Sequence, residues 1–256
     1  MRSFDRYGPW AVVAGASEGI GAAFARALAA RGLNVVLAAR RPEPLAVLAA
    51  SLPTKTRTVV CDLAADEGVE RLIAECADLE VGLVVCNAAY VPIGRFLARD
   101  ETDLRRALAV NCVAPVRLAR HLIGPMVERG RGGFVVMSSV AGQQGSPGIA
   151  TYAATKAFGA VFAEGLWAEL RATGVDVLAC VAGAVETPGL EQAKMRRAPG
   201  TVTADVVAEA ALRALGKRPR TVPGAFMKFA ATLTGRILPR RTAITMIARA
   251  SSDLIA

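Results

Sequence analysis

Six short runs of apolar, often β-branched residues recur along the chain: "WAVVAGA" from Trp10, "LNVVLAAR" from Leu33, "TRTVVCDL" from Thr56, "VGLVVCNAA" from Val81, "GGFVVMSS" from Gly132 and "VDVLACVAG" from Val175. Helix-forming stretches separate them: "GAAFARALAARG" ending at Gly32, "EPLAVLAASL", "EGVERLIAECADL", a long segment from Glu101 to Arg129 softened at Pro115, and "ATYAATKAFGAVFAEGLWAELRATG". The runs are too continuously apolar for strands with one wet face, so each reads as a strand buried on both sides. Strand–helix alternation without a composition break predicts an α/β fold: one Rossmann-like, doubly wound parallel sheet with helices on both faces. A chain of 256 residues that is 53% hydrophobic suits one such domain over 1–256. After Thr187 the pattern loosens. Residues 187–200 mix charge with "APG" and read as a substrate lid; "TADVVAEAALRALGK" reads as a helix and "RTVPG" as a short last strand. Residues 217–256 form a basic, apolar C-terminal extension.

Several function classes lose support on composition. Five scattered cysteines, an odd number without CxxC spacing, favour buried thiols in a reducing compartment, and the location expected is cytoplasmic. The single histidine, His121, argues against a zinc site and against a Ser-His-Asp hydrolase, so no metal is expected. The N-terminus lacks the long apolar region of a signal peptide, and no run of uncharged apolar residues is long enough to span a bilayer. Net charge is +9, and the tail from Lys217 holds +7 of it, eight basic residues against Asp253. That tail is a solvated face, a contact for an anionic membrane surface, or part of a site for an acidic substrate. Nothing like the aromatic interleaving of a nucleic-acid surface accompanies it.

"AGASEGIGAAFA" places Gly15, Gly19 and Gly21 between the first strand and the first helix. The spacing is GxxxGxG, but the physics is that of a dinucleotide turn: glycines allow close backbone approach, and helix N-terminal amides face a pyrophosphate. Ser17 adds a hydroxyl to this turn, and Glu18 adds a negative charge. The second strand ends in Ala38 and Ala39 followed by Arg40 and Arg41, where an NAD site would carry a carboxylate. Arginine there suits a 2′-phosphate, so NADP, as NADPH, is the cofactor favoured over NAD. Asp62 ends the third strand. It could accept from an adenine amino group or cap the next helix.

Tyr152 and Lys156 stand four residues apart on one helix, hence on one face. An ammonium beside a phenol is expected to lower the phenol's pKa and fit it for proton exchange with a carbonyl or an alcohol. Ser139 ends the fifth strand, at the sheet edge where ligands bind, and could hold the same oxygen. Asn111, in an apolar helical run, could carry a backbone-bound water that relays protons to Lys156.

From about Ala11 to Pro188 the ordered set of motifs resembles the classical short-chain dehydrogenases/reductases. Asn111, Ser139, Tyr152 and Lys156 match that family's catalytic tetrad, "CNAA" matches its strand-four signature through Asn87 and Ala88, and "AGAVETP" matches its later segment through Gly183 and Thr187. The resemblance implies reversible hydride transfer between NADP(H) and a ketone/secondary-alcohol pair, with Tyr152 as acid/base, Lys156 on the nicotinamide ribose and Ser139 on the substrate oxygen. It implies a cofactor site of Gly15, Ser17, Glu18, Gly19, Ile20, Gly21, Arg40, Arg41, Asp62, Leu63, Asn87, Ala88, Tyr152, Lys156, Gly183, Val185 and Thr187. Three positions depart from the pattern: Cys86, Ala89 and Ala182. The extension "PGAFMKFAATLTGRILPRR" is loosely similar to the hydroxysteroid/3-oxoacyl reductase branch and suggests a lipophilic carbonyl or alcohol substrate. The family implies a homodimer or homotetramer through the two long helices. The extension either completes the pocket or makes peripheral membrane contact. The rival reading is a non-catalytic nucleotide sensor or membrane-surface scaffold on the same fold.

Overall fold

The computed structural model describes residues 4–186 and 199–250. Seven strands form one sheet in the order β3-β2-β1-β4-β5-β6-β9. They are β1 (Trp10–Ala14), β2 (Asn34–Ala39), β3 (Thr56–Val60), β4 (Val81–Cys86), β5 (Gly132–Ser139), β6 (Val175–Ala182) and β9 (Arg220–Thr221). Every neighbouring pair is parallel. The six expected strands and "RTVPG" as the seventh all appear; "GGFVVMSS" is β5 in full and the others are trimmed at their ends. Two short strands, β7 (Val185–Glu186) and β8 (Val202–Thr203), pair separately.

Alternate residues of one strand enter different cores, as the pleat requires. Val13 packs with Phe24 and Leu28 of α1 (Gly19–Ala29), Leu45 of α2 (Pro42–Ser51) and Leu212 of α7 (Ala204–Ala214). Val12 packs on the other face with Leu72 of α3 (Asp66–Ala74), Leu118 of α5 (Ala114–Glu128) and Ala163 of α6 (Ala150–Glu169). The sheet is therefore covered on both sides.

The segment expected as one helix from Glu101 to Arg129 is interrupted. α4 (Glu101–Leu108) passes through a π-helical turn, Ala109–Val113, before α5 begins. Pro115 supplies no N–H to the residue 111 carbonyl, and its ring crowds that carbonyl, so the i→i−4 ladder cannot continue there. The wider turn is the physical outcome, and it carries Asn111. The C-terminal extension holds α8 (Ala225–Thr232), a second π-helical turn (Leu233–Ile237) and α9 (Arg240–Ala250). No helix among the described residues is long and apolar enough to cross a membrane. Most of the expected lid, Thr187 included, lies outside the described residues.

Candidate active site

The strand order reverses between β1 and β4, and ligands of open parallel sheets bind at such a point, beyond the C-terminal strand ends. Register brings the reacting candidates to that same edge. Ala14 lies level with Cys86, and Ser139 with Ala182. The glycine turn, Asn87, Ser139 and Gly183 therefore share one rim.

A crevice of about 390 Å3 opens there, lined by Gly15, Ser17, Glu18, Arg40, Arg41, Asp62, Leu63, Asn87 and Ala88 among others. Gly15 has φ +88, and a Cβ on it would fall 2.6 Å from the Ala88 backbone. A Cβ on Gly21 would strike the Gly15 carbonyl. The turn is thus packed tightly enough that neither position accepts a side chain. Gly19 and Ile20 begin α1 beside it. Asn87 fixes the turn from β4, its Nδ2 donating to the Gly15 carbonyl at 2.8 Å. Ala89 also lines the crevice, so its methyl faces the space a ligand would use.

Two of the expected cofactor contacts carry partners of their own. Arg41 donates to Glu18 at 2.5 Å. The carboxylate that looked adverse in the turn is therefore neutralised, and Arg40 is the exposed guanidinium at the strand end with no ion pair among the described residues. Asp62 accepts from Arg106 at 2.6 Å and from the Ala64 N–H at 3.1 Å. Burial pushes Asp62 up, but these bonds and the Arg106 and Arg40 charges outweigh it and hold the carboxyl below its usual range. Asp62 thus braces the turn before α3 but does not cap that helix, whose N-cap is Ala65. Arg106 lies 44 residues away and also stacks over the Tyr90 ring at 5.4 Å. Sequence reasoning missed both residues, and no local signal marks them.

The second cluster centres on α6. Lys156 is 6% exposed, and its Nζ donates to the Met137 carbonyl at 2.9 Å. Ser138 Oγ donates to the Lys156 carbonyl at 2.7 Å, which locks α6 to the end of β5. The Tyr152 ring centroid lies 5.5 Å from Lys156 Nζ, and the Tyr152 hydroxyl lies beside Ser139, close enough to interact with it. The expected electrostatics are corrected here. Burial pushes the Tyr152 phenol up, with only the Ser139 hydroxyl pulling it down. Burial likewise pushes Lys156 down, to about 8, with the Cys112 and Cys86 thiols pulling the other way. Desolvation disfavours the charged form of each group.

Asn111 is held in place by its side chain. Its side chain is 5% exposed and fully engaged by protein: Oδ1 accepts from the Tyr90 N–H at 2.8 Å, and Nδ2 donates to the Tyr90 carbonyl and to Thr155 Oγ1, both at 2.9 Å. Thr155 Oγ1 in turn donates to the Tyr152 carbonyl at 2.7 Å. Asn111 is a clamp between the loop after β4 and the helix that carries Tyr152. Tyr90 donates its own hydroxyl to Asp103 at 2.6 Å, and that bond pushes its pKa up, so this phenol is committed away from the centre.

Beyond β6, Gly183 is covered by Met227 of α8, whose side chain would lie 2.5 Å from a Cβ at 183. Val185 is buried in β7. Arg240 donates to the Gln143 carbonyl at 2.6 Å, and Ile244 packs over Gly145. The extension therefore contacts Gly183 after β6 and the Gln143–Gly145 segment after β5.

Residues 9–198 match the short chain dehydrogenase family. The chain belongs to that family. The enzyme is 37% identical to 7β-hydroxysteroid dehydrogenase of Clostridium sardiniense over 192 residues, 73% of this chain and 74% of that one. It is 33% identical to the very-long-chain 3-oxoacyl-CoA reductase of Neurospora crassa over 77% of this chain but only 61% of the fungal protein. Among solved structures, a 7β-hydroxysteroid dehydrogenase superposes with TM-score 0.90 at 26% identity, covering 97% of this chain and all of the other. A short-chain dehydrogenase from Sphingobium yanoikuyae in complex with NADPH superposes at 0.79 with 28% identity, covering 97% and 96%. The enzyme is thus an oxidoreductase acting on CH–OH groups with a nicotinamide cofactor.

Proposed function

We propose that this dehydrogenase interconverts a lipophilic ketone and its secondary alcohol with NADP(H), using Tyr152 as acid/base. The observation that carries the reading is the Ser139–Tyr152 pair, brought together at the rim that also holds the glycine turn. The residues fit the cofactor. The Gly15–Gly21 turn permits backbone approach to a pyrophosphate, and Arg40 stands free at the β2 end for a 2′-phosphate. NADPH, when bound, supplies the hydride. Ser139 holds the substrate oxygen, and Tyr152 gives it a proton as charge develops there. Lys156 uses one N–H on Met137 and keeps two donors for ribose hydroxyls.

A phenol whose pKa is raised stays protonated through neutral pH, which favours reduction. Oxidation needs phenolate, so the oxidative rate rises with pH while the reductive rate holds and then falls. The relatives' steroid and 3-oxoacyl names favour an apolar substrate body, and Met227 over Gly183 supplies an apolar wall. Exposed Phe158 on α6, with Val113 and Val116 near α5, supports a homo-oligomer through this side. Exposed Phe226 and Phe229 beside Lys228 leave membrane contact as a second role of the extension. The test is a panel of steroid ketones and 3-oxoacyl thioesters with NADPH and with NADH, followed by loss of reduced-nicotinamide absorbance. Consumption of NADPH by at least one lipophilic ketone is expected. No turnover with any of them, despite NADPH binding, would overturn the proposal.

A further inference from the structure

Against the Val140–Gln143 turn lies a second cavity, about 530 Å3, larger than the cofactor crevice. Its floor is apolar: Ala157 and Val161 of α6, Val222 after β9 and Ala231 of α8. Its walls are cationic. Arg218, Arg220 and Lys228 come from the loop before β9, from β9 itself and from α8. One carboxylate faces them, Glu164, which lies 3.1 Å from Arg220 Nε. Arg218 and Lys228 make no ion pair among the described residues. Nothing in the proposed reaction uses this cavity.

We propose that this cavity is a second ligand site, for an amphipathic organic anion whose charged head meets Arg218 and Lys228 and whose apolar body lies on Val161, Val222 and Ala231. Its size is that of a small-molecule pocket. Two uncompensated cations at its rim select a negative head, and the alanine and valine floor excludes a purely polar ion. Gly142 links the two sites. A Cβ on it would fall 2.5 Å from the Ala157 nitrogen, so the turn after Ser139 packs directly on α6 one residue past Lys156.

The test uses the full chain saturated with NADP+, which fills the crevice. The probe is 1-anilinonaphthalene-8-sulfonate, followed by fluorescence and displaced with dodecanoate, dodecanol or inorganic phosphate. A saturable site is expected that dodecanoate empties at concentrations where dodecanol and phosphate do not. Arg218→Gln with Lys228→Gln should weaken it at least tenfold while NADP+ affinity stays unchanged; both side chains are exposed, so folding is not at stake. Three results would overturn the inference: dye binding that NADP+ abolishes, equal binding by the double variant, or displacement by phosphate as readily as by dodecanoate. Binding that disappears as protein concentration rises would assign the face to a second copy of the chain and also sink it. Loss of ketone turnover in the earlier panel would leave this measurement standing, so the two readings fail separately.

Discussion

Replacing Lys156 by methionine should abolish turnover and, at neutral pH, stabilise the fold. Lys156 is almost wholly buried, and burial pushes its pKa from 10.5 down to about 8. Below pH 8 the ammonium is charged in both states but desolvated only in the folded one. The shift corresponds to a folding penalty of about 3 kcal/mol at pH 7. Methionine removes that penalty and forfeits the hydrogen bond to the Met137 carbonyl, which costs about 1 kcal/mol. The net gain is about 2 kcal/mol at pH 7. Between pH 8 and 10.5 the folded protein holds a neutral lysine while the unfolded chain still binds the proton. Wild-type stability from this group therefore rises with pH, and by about pH 9.5 the variant's advantage has vanished. The thiols act oppositely. Burial holds Cys61 up at about 11 and Cys76 and Cys180 at about 12, so they lower stability above the ordinary thiol range. That loss is common to both proteins and cancels in the difference. Urea unfolding of the two proteins, read by the fluorescence of Trp10 and Trp167, gives the number at each pH. A difference that does not change with pH, or a variant less stable at pH 7, would refute the reasoning.

Asn111→Leu removes three hydrogen bonds around Tyr90 and Thr155 and should cost about 3 kcal/mol in urea titrations; kcat should fall with cofactor Kd within a few-fold. Arg40→Glu should lower the NADPH-over-NADH preference in kcat/KM by about 10- to 100-fold, the worth of a charge-assisted phosphate contact; an unchanged ratio would move the 2′-phosphate elsewhere. Met227→Ala should shift kcat/KM at least tenfold toward the bulkier of two ketones while leaving the KM for NADPH unchanged, since Met227 covers Gly183 and no part of the phosphate turn.

The sheet was legible because burial on both faces writes itself as unbroken apolar runs, and the glycine turn because Gly15 and Gly21 sit where no Cβ fits. Asn111, Ser139, Tyr152 and Lys156 were legible as residue types at spacings, and the fold does gather them around the ends of β4 and β5. Their electrostatics were not legible. An i,i+4 spacing gives proximity but not desolvation, and desolvation sets the sign for both Tyr152 and Lys156. The π-helical turn was half visible: Pro115 marks the break, but the clamp depends on Tyr90, 21 residues earlier. Arg106 on Asp62 and Met227 on Gly183 are contacts between distant segments that carry no periodicity, so one sequence does not announce them.

The most direct test is single-turnover oxidation of bound NADPH by an accepted ketone in Tyr152→Phe. The variant lacks only the hydroxyl that meets Ser139, so NADPH should bind as in the wild type while the hydride-transfer rate falls by about 100-fold or more, the scale of general-acid catalysis. A Tyr152→Phe protein that oxidises NADPH at the wild-type rate would place the proton donor on another residue.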